Sequence, residues 1–364
     1  MRLRGAKVQS TRHPSRATRH GVVAAVTVTL LLLAAPKAFA ANAGEVELTR
    51  EGKASIEMAL AHLASRQRAD GSLSGGMGDQ SAVVAAAALA WMAQGNLPGE
   101  GPYGKNVAKA IEYLLNCTQA SGFIFKGQGG SSYHHGLAAI ALAEAWGHTR
   151  DKRIYDKLKK AIDLTVHFQG DHGGWHYNPK VEASYDLSTT VMQLMALRAA
   201  KDAGIAVPKE TIDKAIRCVE RCRTPKDEQG LSGFSYGPGG GRTWSCTALG
   251  LMSLMLAGEY KPTNLKDGLD YLVKARERKE DKQWFVYGHY YGAMAMYQAG
   301  GHEKFRDYWT KWYPDISKQI IKSQFTSGAN RGMYQLDAGY GLWGTGMCAL
   351  IVAIPYRYLP VYQR

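Results

Sequence analysis

No acidic residue occurs in the first 40 positions of this 364-residue chain, although Arg2, Arg4, Lys7, Arg12, Arg16, Arg19 and Lys37 all lie there. A basic start, an apolar run over 21–35 and a small-x-small site at Ala38-Phe39-Ala40 predict a signal peptide over residues 1–40, hence a secreted or periplasmic protein. The run is about 15 residues, short of the roughly 20 that span a bilayer, so no stable membrane span is expected once it is removed; left uncleaved, it would act as an anchor. There is no twin-arginine pair, which favours export before folding. Cleavage halves the formal charge from +14 to +7. What remains is spread through mixed helices as on a solvated face, and predicts no nucleic-acid partner.

Cysteine is also scarce. The five at 117, 218, 222, 246 and 348 are an odd number in a long exported chain, which excludes a small-scaffold disulfide framework. Cys218 and Cys222, four apart, share a helix face but are held too rigidly for an easy bridge, so free buried thiols are expected. The glycine run 237–241 lacks the Lys-Ser/Thr of a phosphate loop and reads as a flexible connection.

What is present is repetition. A small residue, a bulky one three further on, an aliphatic one and a long polar residue recur about every fifty positions. The pattern runs through Ala59 to Gln67, Ala110 to Gln119, Ala161 to Gln169, Ala215 to Arg223 and Gly268 to Arg276, with a degraded sixth copy from Ser317 to Gln324. Each copy leads into an aromatic turn, such as Gly122-Phe123, Gly173-Gly174-Trp175 or Gln283-Trp284-Phe285, and then into an alanine-rich apolar helix. First helices are amphipathic and second helices apolar nearly all round, so the second set is buried. Six hairpins of one exposed and one buried helix, with an apolar last copy that offers no polar cap, predict a closed ring. The fold class is therefore all-α: a single (α/α)6 toroid over residues 45–364.

Gln169-x3-Gly173-x-Trp175, preceded by Lys160-Ala161 and repeated in weaker form, resembles the QW motif of terpenoid cyclases, within the wider prenyltransferase and squalene-oxidase repeat family. The resemblance covers residues 50–364 and implies that the Gln amide satisfies backbone groups at a helix end and stacks on the Trp ring. In triterpene cyclases an Asp opening an inner helix protonates the polyene. Asp186-Leu187-Ser188-Thr189-Thr190-Val191 is similar to D-x-D-D-T-A with Ser188 and Thr189 in the acidic positions, and Ser245-Cys246-Thr247-Ala248 is similar to D-C-T-A with Ser245 in place of the acid. A serine cannot protonate an alkene. In protein prenyltransferases of the same superfamily zinc is held by an Asp, a Cys and a His. Cys246 and His289 match two of these, Trp244 stands where the Asp belongs, and Asp186 or His135 would have to supply the third ligand.

The resemblance implies an exported terpene-cyclase or prenyltransferase-like protein whose central cavity takes an isoprenoid or other small apolar ligand, with most cyclase acids missing. It implies no cofactor beyond a zinc at Cys246 and His289. Catalysis would fall to Asp186 with His135 or His289. His134, Tyr185, Trp244, Tyr290, Tyr340 and Trp343 would contact the ligand, since starts of inner helices should converge on one mouth. Asp186 also reads simply as a helix N-cap. Two alternatives stand beside this: a non-catalytic binding or scaffold toroid, and a polysaccharide lyase or hydrolase whose open cleft uses Arg242, Tyr236, His176 or His289 on sugar. No partner protein is indicated.

Overall fold

The computed structural model describes residues 46–74, 80–126, 131–258, 261–277, 282, 284–336, 341–356 and 359, all within a compact unit of Ala41–Arg364. The expected signal peptide, the side chain of Gln80, and Tyr340 lie outside the described residues.

Twelve α-helices alternate between two roles among the described residues. The outer set is α1 (Arg50–Arg66), α3 (Gly104–Cys117), α5 (Lys152–His167), α7 (Lys209–Arg221), α9 (Pro262–Glu277) and α11 (Arg306–Lys322), and the inner set is α2 (Gln80–Met92), α4 (Ser132–Thr149), α6 (Leu187–Asp202), α8 (Trp244–Leu256), α10 (Phe285–Gly300) and α12 (Gly341–Ala353). Outer helices bury one stripe, such as Ile154, Leu158, Ala161, Ile162 and Thr165 of α5, and carry surface pairs such as Lys159 with Asp163 at 2.6 Å. Inner helices are buried on every side, as α12 is from Leu342 to Ala353. An element with no polar stripe finds a stable place only inside such a layer. Each inner helix packs on the next, and α12 packs back on α2, so the ring closes into an (α/α)6 toroid. No helix among the described residues is long and apolar enough to cross a membrane.

The repeat glutamines hold the hairpins together. Gln169 Nε2 donates to Gly173 O of its own turn (2.8 Å) and to Thr211 O of the next outer helix (2.9 Å). Gln67 bonds Gly71 O and Asn106 O in the same way, and Gln324 bonds Gly332 O and Ser55 O. The last of these joins the sixth hairpin to the first. At Gly173 the backbone is left-handed, φ 89°, and a Cβ would collide with Lys214 O of α7. Only glycine accepts both constraints. The same approach to the neighbouring helix carbonyl recurs at Gly71, Gly122 and Gly332. Trp175 is buried and donates its indole N–H to Thr165 O at 2.8 Å. The motif is thus a staple between neighbours, repeated around the ring.

Candidate functional site

The inner helices begin at one end of the ring, and their caps bring polar side chains there. Asp186 caps α6: Oδ1 accepts from Ser188 N at 2.7 Å and Thr189 N at 3.4 Å, and from the Ser188 hydroxyl. All these bonds fall on Oδ1, which leaves Oδ2 for the cleft that Asp186 lines. The preceding strap, 170–186, is fixed at several points. His172 accepts from Gly174 N at Nδ1 (3.0 Å), so its Nε2 carries the proton and donates to Glu182 O (3.0 Å). Ser132 N donates to Tyr177 O at 2.8 Å, and the Tyr177 hydroxyl meets Ser188 Oγ at 3.1 Å. Those bonds tie the strap to the starts of α4 and α6 and turn Tyr177 into the mouth.

The resulting cleft is open and has a volume of about 610 Å³. Aromatic rings from Tyr133, Tyr177, Tyr236, Trp284, Tyr287 and Trp343 make most of its wall, and Asp186, His134, Ser131 and Ser188 add polar groups. Four large apolar side chains stand exposed among the described residues, and three of them, Tyr177 (41%), Tyr236 (37%) and Trp284 (50%), line this cleft. Burial, and after it the Asp186 carboxylate, raises the Tyr177 phenol above its ordinary value. Tyr236 and Tyr287 are raised too, first by burial. These hydroxyls therefore stay protonated at neutral pH and act as donors and acceptors. A larger groove of about 900 Å³ lies on the outside, between α9 and α11, over Phe285 and Trp312. The charges along it include the surface pair Lys311–Asp307, and none of the inner-helix caps reaches it.

Of the residues singled out in the sequence, Asp186, His134, Trp343 and Tyr236 meet in the mouth. His135 does not. It is buried in the wall, where Nδ1 accepts from Ile124 N (3.1 Å), so Nε2 bears the proton and bonds Thr165 Oγ1 (3.1 Å). Both nitrogens are engaged, and burial lowers this imidazole to about 4. His289 is sandwiched by Phe285 (3.9 Å between ring centres) and Trp244 (4.3 Å), donates from Nδ1 to Phe285 O (2.9 Å) and faces Arg276 with Nε2 (3.4 Å). Tyr185 turns away from the mouth onto His172 and the Cys222 thiol. Tyr290 is buried against Tyr291, and Trp244 sends its indole N–H to Leu272 O at 3.0 Å. Tyr133, Tyr177 and Trp284 went unrecognised. Tyr133 adjoins His134 in sequence, which is a usable signal, but Tyr177 sits in an irregular strap and Trp284 looks like one more turn aromatic.

The expected zinc set does not fit this geometry. His289 has both ring nitrogens engaged, Nδ1 with Phe285 O and Nε2 with Arg276. Among the described residues no group of three or more His, Cys, Asp or Glu is arranged to hold a metal ion.

No protein-family model matches the sequence, and no curated protein matches it. Solved structures do match. A variant α-1,6-mannanase of Salegentibacter sp., inactivated at two aspartates and in complex with α-1,6-mannotriose, superposes with a TM-score of 0.59 at 10% identity, over 85% of this chain and 99% of that one. A family 76 glycoside hydrolase (mannosidase) from Bacteroides thetaiotaomicron gives 0.56 at 11% identity, over 84% and 97%. A cellobiose 2-epimerase from Bacillus thermoamylovorans gives 0.58 at 12% identity, over 83% and 98%. The fold is the helical toroid. These neighbours overturn the resemblance to the prenyltransferase and squalene-oxidase repeat family: all three are toroids of carbohydrate enzymes. The error has a physical source. Gln169, Gly173 and Trp175 answer the packing problem of stacking helical hairpins, and a motif with that job carries no information about chemistry.

Proposed function

We propose that the mouth of the toroid binds a saccharide and that the protein is a glycan hydrolase, with Asp186 and His134 as its proton-transfer groups. The observation that carries this reading is the gathering of exposed aromatic rings around a carboxylate at the helix starts. Sugar rings present a C–H face that packs on aromatic faces and a hydroxyl edge that takes hydrogen bonds. A cleft walled by Tyr and Trp, with a few polar groups converging on it, meets both needs. The likeness to toroids named as mannanases, mannosidases and an epimerase supports the same class of ligand. An isoprenoid would call for a closed, dry chamber, and this cleft is wide and rimmed with phenols.

Hydrolysis adds water across a glycosidic C–O bond: one group protonates the departing oxygen and another takes the proton of the attacking water. Asp186 offers Oδ2 for one role. It is the one carboxylate among the described lining residues, so the imidazole of His134 takes the other.

A single carboxylate among the described lining residues also favours a second reading, a toroid that binds glycan without turning it over. One experiment separates them. Purified protein is incubated with α-mannan, β-glucan and polygalacturonate; reducing ends are measured, and bound glycan is measured in parallel. Release of reducing ends by the wild type and not by Asp186→Asn supports the hydrolase. Retention of glycan with no release in either supports the binding toroid, and retention of none of the three sinks both.

A further inference from the structure

Trp284, the N-cap of α10, occupies a backbone conformation that favours glycine. Its φ is 56° and ψ 46°, in the left-handed region, where a bulky residue is a genuine outlier. The N-caps of three other inner helices, Ser131, Asp186 and Thr243, are extended, with φ of −134°, −122° and −125°. Trp284 is therefore a bulky ring held in a left-handed turn at the start of an inner helix, and half of its surface is open. Strain of this kind persists where the surrounding structure imposes it, and it collects at ligand clamps.

The ring stands on a boundary. On one side is the mouth with Asp186 and His134; on the other is a smaller pocket of about 210 Å³, and Trp284 and Tyr236 line both. The smaller pocket carries Arg242, which is held in place before any ligand arrives. Its guanidinium donates to Leu231 O (2.7 Å) and Asp227 Oδ2 (2.5 Å) and lies 4.5 Å from the centre of the Tyr271 ring. Ser245 and Thr243 add hydroxyls beside it. Two compartments thus share an aromatic divider, with proton-transfer groups in one and fixed polar groups in the other.

We propose that the cleft takes an oligosaccharide chain rather than a single sugar, laid across Trp284 so that one ring sits in the Asp186 compartment and the next in the Arg242 pocket. Trp284 is then a positioning residue that selects for chain length. This rests on the saccharide reading of the mouth. Calorimetry tests it with mannose against α-1,6-mannotriose, and with galacturonate against trigalacturonate, on the wild type, Trp284→Gly and Trp284→Phe. In whichever series binds, the trisaccharide is expected to bind about tenfold or more tightly than its monosaccharide, the scale of one aromatic contact. Trp284→Gly should erase that ratio without lowering the thermal midpoint, since glycine suits the left-handed position, and Trp284→Phe should keep most of it. Equal affinity of the wild type for one sugar and three, or a full trisaccharide preference in Trp284→Gly, overturns the chain-length proposal and leaves the saccharide reading standing. Absence of binding in both series overturns the saccharide reading and the proposal with it.

Discussion

The side-chain amide of Gln324 reaches Ser55 O at 2.8 Å and Gly332 O at 3.0 Å, so the last hairpin is bonded to the first across 269 residues of chain. Tyr334 adds a hydroxyl contact to Ser55 Oγ at 2.8 Å, and Arg66 reaches across to Ala329 O at 2.7 Å. Removing the amide takes one donor away from each of two carbonyls. Gln324→Ala should cost about 2–4 kcal/mol in urea unfolding. Gln67→Ala, in a half-buried site with a longer bond of 3.3 Å, should cost less.

Asp186 is expected to separate its two roles under substitution. Asn is as good a cap as Asp, so Asp186→Asn should keep the stability of the wild type while losing turnover. Asp186→Ala should lose turnover and about 1 kcal/mol besides. Thermal melts alongside reducing-end assays check this. A fully active Asp186→Asn would confine the residue to capping.

His135 should make the fold sensitive to acid. Its folded value of about 4 lies below its ordinary 6.5, so between these values the unfolded chain binds the proton and the folded one does not. Stability then rises with pH across that window: the contribution is complete above about 6.5 and is lost as pH falls toward 4. The full effect is about 3 kcal/mol. Urea unfolding at pH 7 and pH 4.5 should show a larger loss in the wild type than in His135→Gln, and equal losses would contradict the assignment.

The thiols should be silent until the protein unfolds. All five cysteines are buried thiols outside any disulfide, and burial raises Cys218 to about 12, Cys222 to about 11 and Cys246 to about 12. The thiolate is the reacting form. A disulfide reagent at pH 8 should therefore titrate close to no thiol in native protein and five in denaturant. Fast reaction of Cys246 in the native state would contradict its burial in α8.

Much of the fold was legible in the chain because helical hairpins leave local marks. The small residue at Ala59, Ala110, Ala161, Ala215 and Gly268, the glutamine eight positions on in two of those copies, and the glycine of the turn each answer a contact with the adjacent hairpin, and recurrence made them visible. The site was less legible. His134 and His135 are consecutive, yet one enters the cleft and the other is locked between Ile124 and Thr165. A helix turns about 100° per residue, so neighbours in sequence face different surroundings.

The sequence by itself determined the period and the alternation of exposed and buried helices, because amphipathic and all-apolar helices leave different local patterns; closure of the ring was decided by the packing of α12 on α2. It also marked Asp186, since a cap must stand directly before its helix. Only the tertiary structure decided what surrounds that carboxylate. Tyr133, Tyr177, Tyr236, Trp284, Tyr287 and Trp343 come from hairpins far apart in the chain and meet through ring closure. The left-handed turn at Trp284, which presents its ring to the cleft instead of the core, is a consequence of packing that no local pattern encodes.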